Sequence, residues 1–274
     1  MREFDLRSLQ LKELECLKEI DRICRKYDLE YYLAWGSAIG AMRHKGFIPW
    51  DDDIDVLMKW EDYVKFKECF LKEANPDFFY QDWHSDRYYY SSWAKLRMNN
   101  TTEMMRELVG YPMHGGVNID IFPLLPYGGD HLSRVDRFLA KLVMFSANKR
   151  LNDYGHGEIS YENKKLRYVP AFLCDWVKNI AYSLLVRPRK NITHYATNGC
   201  HTFDLFFPKE WFSGVNEVEF EGEMFYVNNG VDDYLRAYYG DYMQIPKVED
   251  RLDHGDLIVD LENDYKMYQK IGEL

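Results

Sequence analysis

The stretch AWGSAIGAMRHKGFIPWDDDIDVLM, residues 34–58, places four carboxylates in five positions downstream of a glycine-serine pair. So dense a run repels itself, and a fold keeps it only where something compensates; a cation is the first candidate. In an extended strand alternate side chains share a face, so Asp51, Asp53 and Asp55 point one way while Asp52, Ile54 and Val56 point the other. Ile54 and Val56 can enter a core, which leaves Asp53 and Asp55 side by side above it. Hard oxygen ligands at that spacing suit Mg2+ or Mn2+. A third carboxylate is expected from a neighbouring strand, and NIDIFP offers Asp120 between Ile119 and Ile121. The plainer reading of Asp120, a turn acid ahead of Pro123, is opposed by the cost of burying an unpaired carboxylate in such a run. An EF-hand loop would share the early acids, but Val56 stands where that loop needs glycine and Asp62 where it uses glutamate. A wholly solvated acidic face does not fit the interleaved Ile54, Val56 and Leu57.

Working outward, YYLAW (31–35) is short, aromatic and bounded by Gly36, which predicts a strand. Ser37 can then cap a short helix through Ala38 to His44, followed by a loop at HKGFIPW and a second strand at DDDIDVLM. A Gly-Ser turn at a helix N-terminus offers backbone N–H groups and a hydroxyl to an anion, so Gly36 and Ser37 become candidate phosphate contacts. Residues 6–27 carry the helical spacing of an amphipathic helix, and a further helix is expected over 60–73. DFFYQDW, YSSWAKLRM and GGVNIDIFPL read as strands, the last ended by Pro123 and Pro126. Residues 130–190 are helical in pattern and locally basic, a candidate second lobe, and DDYLRAYYGD reads as a short helix ending at Gly240. The class is α/β.

The 274 residues, 46% hydrophobic and 29% charged, suit one enlarged domain or a core with an insertion. With 35 Lys and Arg against 45 Asp and Glu, the net charge of −10 argues against nucleic acid as a general partner. The first thirty residues have charges every few positions and no apolar core of a signal peptide, and no stretch reaches the length of a membrane span. The five cysteines lack close pairs, which suits reduced thiols and a cytoplasmic location; Cys16 and Cys24 read as core filler.

The combination of YYLAWGSAIGAMRHKGFIPWDDDIDVLM, KLRMNNT (95–101) and HGGVNIDIFPL (114–124) resembles the LicD family, which includes bacterial phosphocholine transferases and is related to fukutin and fukutin-related protein. The resemblance covers about residues 30–125, with DDYLRAYYGDYM and His254 matching more loosely. It implies a nucleotidyltransferase-like core with a mixed β-sheet, over 1–127, a helical, basic lobe over 128–200, and a C-terminal segment, 201–274, that completes the domain. It further implies metal-dependent transfer of phosphocholine or a phospho-alditol from a CDP-choline or other CDP-alcohol donor to a sugar hydroxyl of a glycan, teichoic acid precursor or lipopolysaccharide, with release of CMP. Carried over by motif, Gly36 and Ser37 match the turn, Asp53 and Asp55 the metal pair, Asp120 the third acid, and Arg43 the family's basic position.

Charge developing on the leaving and transferring oxygens calls for cationic partners, for which Arg43, Lys95 and Arg97 are candidates, the last two sharing one face of a strand. Asp120 is the candidate base and His254 a candidate substrate contact. Many relatives continue the third motif as IFPLDG, whereas Leu125 and Pro126 follow here, so the pocket at that loop is expected to differ. The aromatics of DWHSDRYYYSSW (82–93) could cage a quaternary ammonium or simply fill a core. Residues 169–190 are apolar with a cationic edge, which suits either a buried helix or contact with the inner face of the plasma membrane near a lipid-linked acceptor. His194, Cys200 and His201 lack the close pair of a zinc site. Two other functions are weighed: a small-molecule nucleotidyltransferase, which keeps the same acids, and a silent glycan-binding protein, which has no evident reason to keep Asp53, Asp55 and Asp120.

Overall fold

The computed structural model describes residues 4–154, 168–198, 203–251 and 256–271. Helix α1 (Leu6–Tyr27) follows the expected pattern, with Leu9, Leu17, Ile20 and Cys24 fully buried along one stripe. Each large aliphatic in that stripe is worth about 1.5–3 kcal/mol on burial. Asp5 caps the helix by accepting the Arg7 N–H at 3.2 Å, and Asp28, at φ 55°, ends it. The described cysteines are buried.

The opening stretch departs from its expected boundaries. Strand β1 is only Tyr32–Leu33, and α2 spans Trp35–His44, so Gly36 and Ser37 lie inside the first turn of the helix. Ser37 is not the cap: the N-cap is Ala34, and the buried Ser37 hydroxyl accepts the N–H of Asp55 at 2.8 Å. That N–H opens β2 (Asp55–Lys59) in a half-buried place and needs a partner, which the serine supplies. The residues Asp51 to Ile54 are the irregular approach to the strand rather than part of it. Their alternation nonetheless holds, with Asp52, Ile54 and Val56 buried and Asp51, Asp53 and Asp55 half-buried.

Helix α3 (Trp60–Glu73) packs beside α1 over the central strand β6 (Asn118–Tyr127). With β3 (Phe78–Gln81) and β4 (Ala94–Met98) the strand order is β1-β2-β6-β4-β3, β6 running parallel to β2 and antiparallel to β4. Pro123 and Pro126 do not end β6. Pro123 lies past the last pair with β4, at Ile121, and Pro126 past the last pair with β2, at Leu124, so each falls where one side of β6 is open and a missing N–H loses no ladder bond there. The strand continues, and Leu125 to Tyr127 pair with β7 (His194–Thr197), which pairs in turn with β8 (Leu205–Pro208).

Several elements carried no clear sequence signal. Strand β5 (Thr102–Met105) pairs with β11 (Leu257–Asp260), and the hairpin β9 (Val215–Phe220) to β10 (Glu223–Asn228) packs on β1 and α2. Ion pairs from Arg7 to Glu221 and from Arg25 to Glu217 tie that hairpin to α1. Helix α7 (Val231–Tyr239) ends at Gly240, φ 67°, as its sequence predicts.

The basic region is helical, as expected: α4 (Arg134–Ala147), α5 (Lys149–Tyr154) and α6 (Ala171–Leu185). Leu139, Val143, Ala181 and Leu185 form a second core where α4 meets α6. Beneath them Asp136 is 1% exposed and accepts from Tyr127, Ser133, Arg187 and Arg189 at 2.7–3.1 Å. Part of the lobe's positive charge is therefore consumed internally.

Candidate active site

The parallel pairing of β2 with β6 sets Asp55 opposite Asp120 in register. Neighbouring strands lie about 4.8 Å apart, so these carboxylates stand shoulder to shoulder at the start of β2. Burial first, then the charges of Asp53, Asp120 and Asp51, push the Asp55 carboxyl well above the ordinary range. On the other flank β4 pairs Lys95 with Asp120, and the Lys95 ammonium reaches Oδ1 of Asp120 at 2.7 Å and Oδ1 of Asn118 at 2.6 Å. The Trp93 indole also donates to Oδ1 of Asp120, at 3.0 Å. One lysine thus answers several acids.

Other candidates fall in different places. A Cβ on Gly36 would come within 2.5 Å of Oδ2 of Asp51, so the first turn of α2 faces the acidic run, and glycine is what allows that approach. Arg43 donates to the carbonyls of Tyr242 and Gln244 at 2.6 and 3.2 Å, tying α2 to the loop after α7 while feeling the charge of Asp51. Arg97 is 3% exposed and lies inside the sheet, its guanidinium on Gln81 Oε1 and the Gly116 carbonyl, both at 2.6 Å. That placement engages the Arg97 guanidinium inside the sheet, away from the surface where a phosphate contact was expected. His254, Cys200 and His201 lie outside the described residues.

The site also contains residues that the sequence did not single out. Glu103 on β5 accepts the N–H of Asn118 at 3.0 Å; burial pushes its carboxyl up to about 7 despite the nearby Arg97 and Lys95. Glu13 on α1 is fully buried, neither carboxyl oxygen has a hydrogen-bond partner among the described residues, and it faces Glu103, Asp53, Asp52 and Asp51. Burial and those charges push its carboxyl well above its usual range. Trp35 has φ 42°, a strained value for a bulky residue, and its N–H donates to the Tyr234 hydroxyl of α7 at 2.9 Å. The Trp35 and Trp93 rings flank Phe122 at 4.7 and 4.9 Å, forming an aromatic wall next to Asp120. The signal for α7 was the Tyr-rich tail motif; Glu13 and Glu103 gave none, because each is a single acid in an ordinary pattern.

Of the aromatics between 82 and 93, Trp83 and Trp93 line a cavity of about 340 Å3 with Trp60, Tyr63 and Tyr182, between α3 and α6. Tyr88 to Tyr90 pack with Tyr111 in a separate small core. Among the described residues, no three His, Cys, Asp or Glu side chains are arranged to hold a metal ion as they stand. The donor chemistry of Asp53, Asp55 and Asp120 fits a hard cation, since a positive charge would relieve the repulsion that raises Asp55. Their side chains would have to turn toward one point to share it.

Buried acids in register, answered by one lysine and walled by strained and stacked aromatics, make an enzyme's site rather than a passive binding face. Residues 28–151 match the family model described as LicD/FKTN/FKRP, nucleotidyltransferase domain. The chain is 29% identical to the lipopolysaccharide cholinephosphotransferase LicD of Haemophilus influenzae, over 93% of this chain and 97% of that protein. A shorter match, 34% identical over 62 residues, covers 23% of this chain and 19% of an uncharacterized protein of Rickettsia typhi. The domain match and the near full-length likeness both make the chain similar to enzymes of the LicD type.

Proposed function

We propose that the protein transfers phosphocholine, or a closely related phospho-alcohol, from a CDP-activated donor to a sugar hydroxyl of a cell-surface glycan such as lipopolysaccharide, releasing CMP. The observation that carries this reading is the register of Asp55 with Asp120, completed by Lys95. The near full-length similarity to a lipopolysaccharide cholinephosphotransferase supports phosphocholine and that acceptor class. A nucleotidyltransferase-like core and action on the cytoplasmic side, where CDP donors are made, belong to the same proposal.

Both donors to Asp120 converge on Oδ1, so Oδ2 is available to take the proton of the attacking hydroxyl. Lys95 holds Asp120 by its Oδ1 and places positive charge beside the transferring phosphoryl oxygens. The aromatic wall of Trp35, Phe122 and Trp93 limits water at the acids. Asp53, Asp55 and Asp120 would hold a Mg2+ or Mn2+ ion. Such an ion supplies charge neutralisation for the donor diphosphate.

Thermal stability of the purified protein with Mg2+ and a panel of CDP-choline, CDP-ribitol, CDP-glycerol, CTP and ATP tests the reading, because a ligand bound only to the folded state raises the melting temperature. A metal-dependent rise confined to a CDP-alcohol and lost in Asp55→Asn is the expected result. A rise with CTP or ATP alone would replace the proposal with nucleotidyl transfer.

A further inference from the structure

Helix α4 presents Val135, Phe138 and Phe145 to solvent at helical spacing, Phe138 being 60% exposed. Arg134, Arg137 and Lys141 are exposed on the adjoining flank of the same helix. Helix α6 presents Phe172, Trp176, Ile180 and Leu184 along one stripe with Leu173 beside it, Trp176 being 63% exposed. Its only charged residues, Asp175 and Lys178, pair with each other at 3.6 Å off that stripe, and Lys178 is buried over the Trp83 ring. The outward stripe of α6 therefore carries no charge. Solvent-facing stripes of surface helices are normally polar, and contiguous exposed apolar surface marks a contact face.

We propose that this face of α4 and α6 docks on an anionic lipid bilayer. The argument for that occupant is charge. In a chain with net charge −10, the two helices and the Arg187–Lys190 segment carry an excess of Lys and Arg. A bilayer of anionic headgroups complements that excess, with the apolar stripes entering the acyl boundary and the basic flank meeting the phosphates. A second copy of the chain is a poorer occupant, because a two-fold interface would set the same positive flank against itself. No helix among the described residues is long and apolar enough to cross a membrane, so the contact is with the surface. The inference does not depend on the reaction.

Flotation of the purified chain with vesicles, without donor or acceptor, tests it apart from catalysis. The wild type is expected to float with equimolar phosphatidylcholine and phosphatidylglycerol, and at least about tenfold less with phosphatidylcholine alone. The variant Phe138→Glu, Trp176→Glu, with both changes at exposed positions remote from Asp120, is expected to lose binding at an unchanged melting temperature. Arg134→Gln, Lys141→Gln is expected to weaken binding and flatten its salt dependence. Absence of wild-type flotation on anionic vesicles, or flotation indifferent to the glutamates, would overturn the proposal. So would a wild-type dimer in sedimentation that Trp176→Glu turns into a monomer, because the face would then belong to a second copy.

Discussion

Asp120 has its Oδ1 engaged by Lys95 at 2.7 Å and Trp93 at 3.0 Å, which pins the carboxylate beside Asp55. Asp120→Asn keeps the shape and removes the proposed base, so turnover is expected to fall by about a hundredfold or more, with a melting temperature near wild type. Turnover within a few-fold of wild type would remove Asp120 from the chemistry. Glu103 gives a pH signature. Its folded carboxyl holds a proton up to about 7 against an ordinary glutamate value of 4.5, so the folded state binds that proton more tightly than the unfolded chain. Stability is therefore lost as pH rises from about 4.5 to about 7. Glu103→Gln lifts that penalty: in metal-free buffer it should be more stable than wild type at pH 8, on the order of 3 kcal/mol, with the gap closing toward pH 4.5. A gap that does not change with pH would refute the assignment. Asp53, Asp55 and Asp120 were legible as candidates because alternation and a lone acid in an apolar run are local patterns. Glu13 and Glu103 were not, because only tertiary packing turns an ordinary acid into a buried neighbour of the site.

At the scale of elements, α2 shows packing overriding propensity. A Cβ on Gly40 would stand 2.5 Å from the backbone carbonyl oxygen of Gly46, which no side-chain rotation relieves. Propensity alone favours Gly40→Ala by up to about 1 kcal/mol. The clash reverses the sign, and urea unfolding should show a loss of about 1–3 kcal/mol. A stabilised variant would mean that the 44–48 loop gives way freely. The same competition explains the boundaries that the sequence misplaced. Ser37 reads as a cap by its neighbours, but the N–H of Asp55 claims its hydroxyl. Pro123 and Pro126 read as strand breakers, yet they fall where β6 has an open side. Helices α1, α3 and α7 were readable because their apolar stripes or terminal glycine are written in consecutive residues.

At the scale of the whole molecule, a sheet core carries the acids and a helical lobe hangs from the far end of β6. Asp136 holds that lobe together. Burial pushes its carboxyl up, but hydrogen bonds from Arg189, Tyr127, Ser133 and Arg187 outweigh burial and hold it well below the usual carboxylate range. The stability this contributes is present above the ordinary aspartate value and is lost as pH falls through the depressed one. Asp136→Asn should therefore lose about 3 kcal/mol at pH 7, and the difference from wild type should shrink on acidification. An equal loss at pH 7 and pH 3 would show that packing, not charge, is what the substitution removes. The lobe's helices were visible in the sequence; its exposed apolar stripes were not separable from a buried helix until the packing partners were in place.

Asp55 and Asp120, set in register, are proposed to serve transfer of a phospho-alcohol from a CDP donor. The most direct measurement is chromatographic quantification of products from CDP-choline, Mg2+ and a lipopolysaccharide acceptor, with wild type and Asp55→Asn in parallel. The expected result is CMP released in step with phosphocholine on the glycan, falling by about a hundredfold or more in the variant. CMP release by Asp55→Asn at the wild-type rate, or pyrophosphate from CTP with no transfer from CDP-choline, would contradict it.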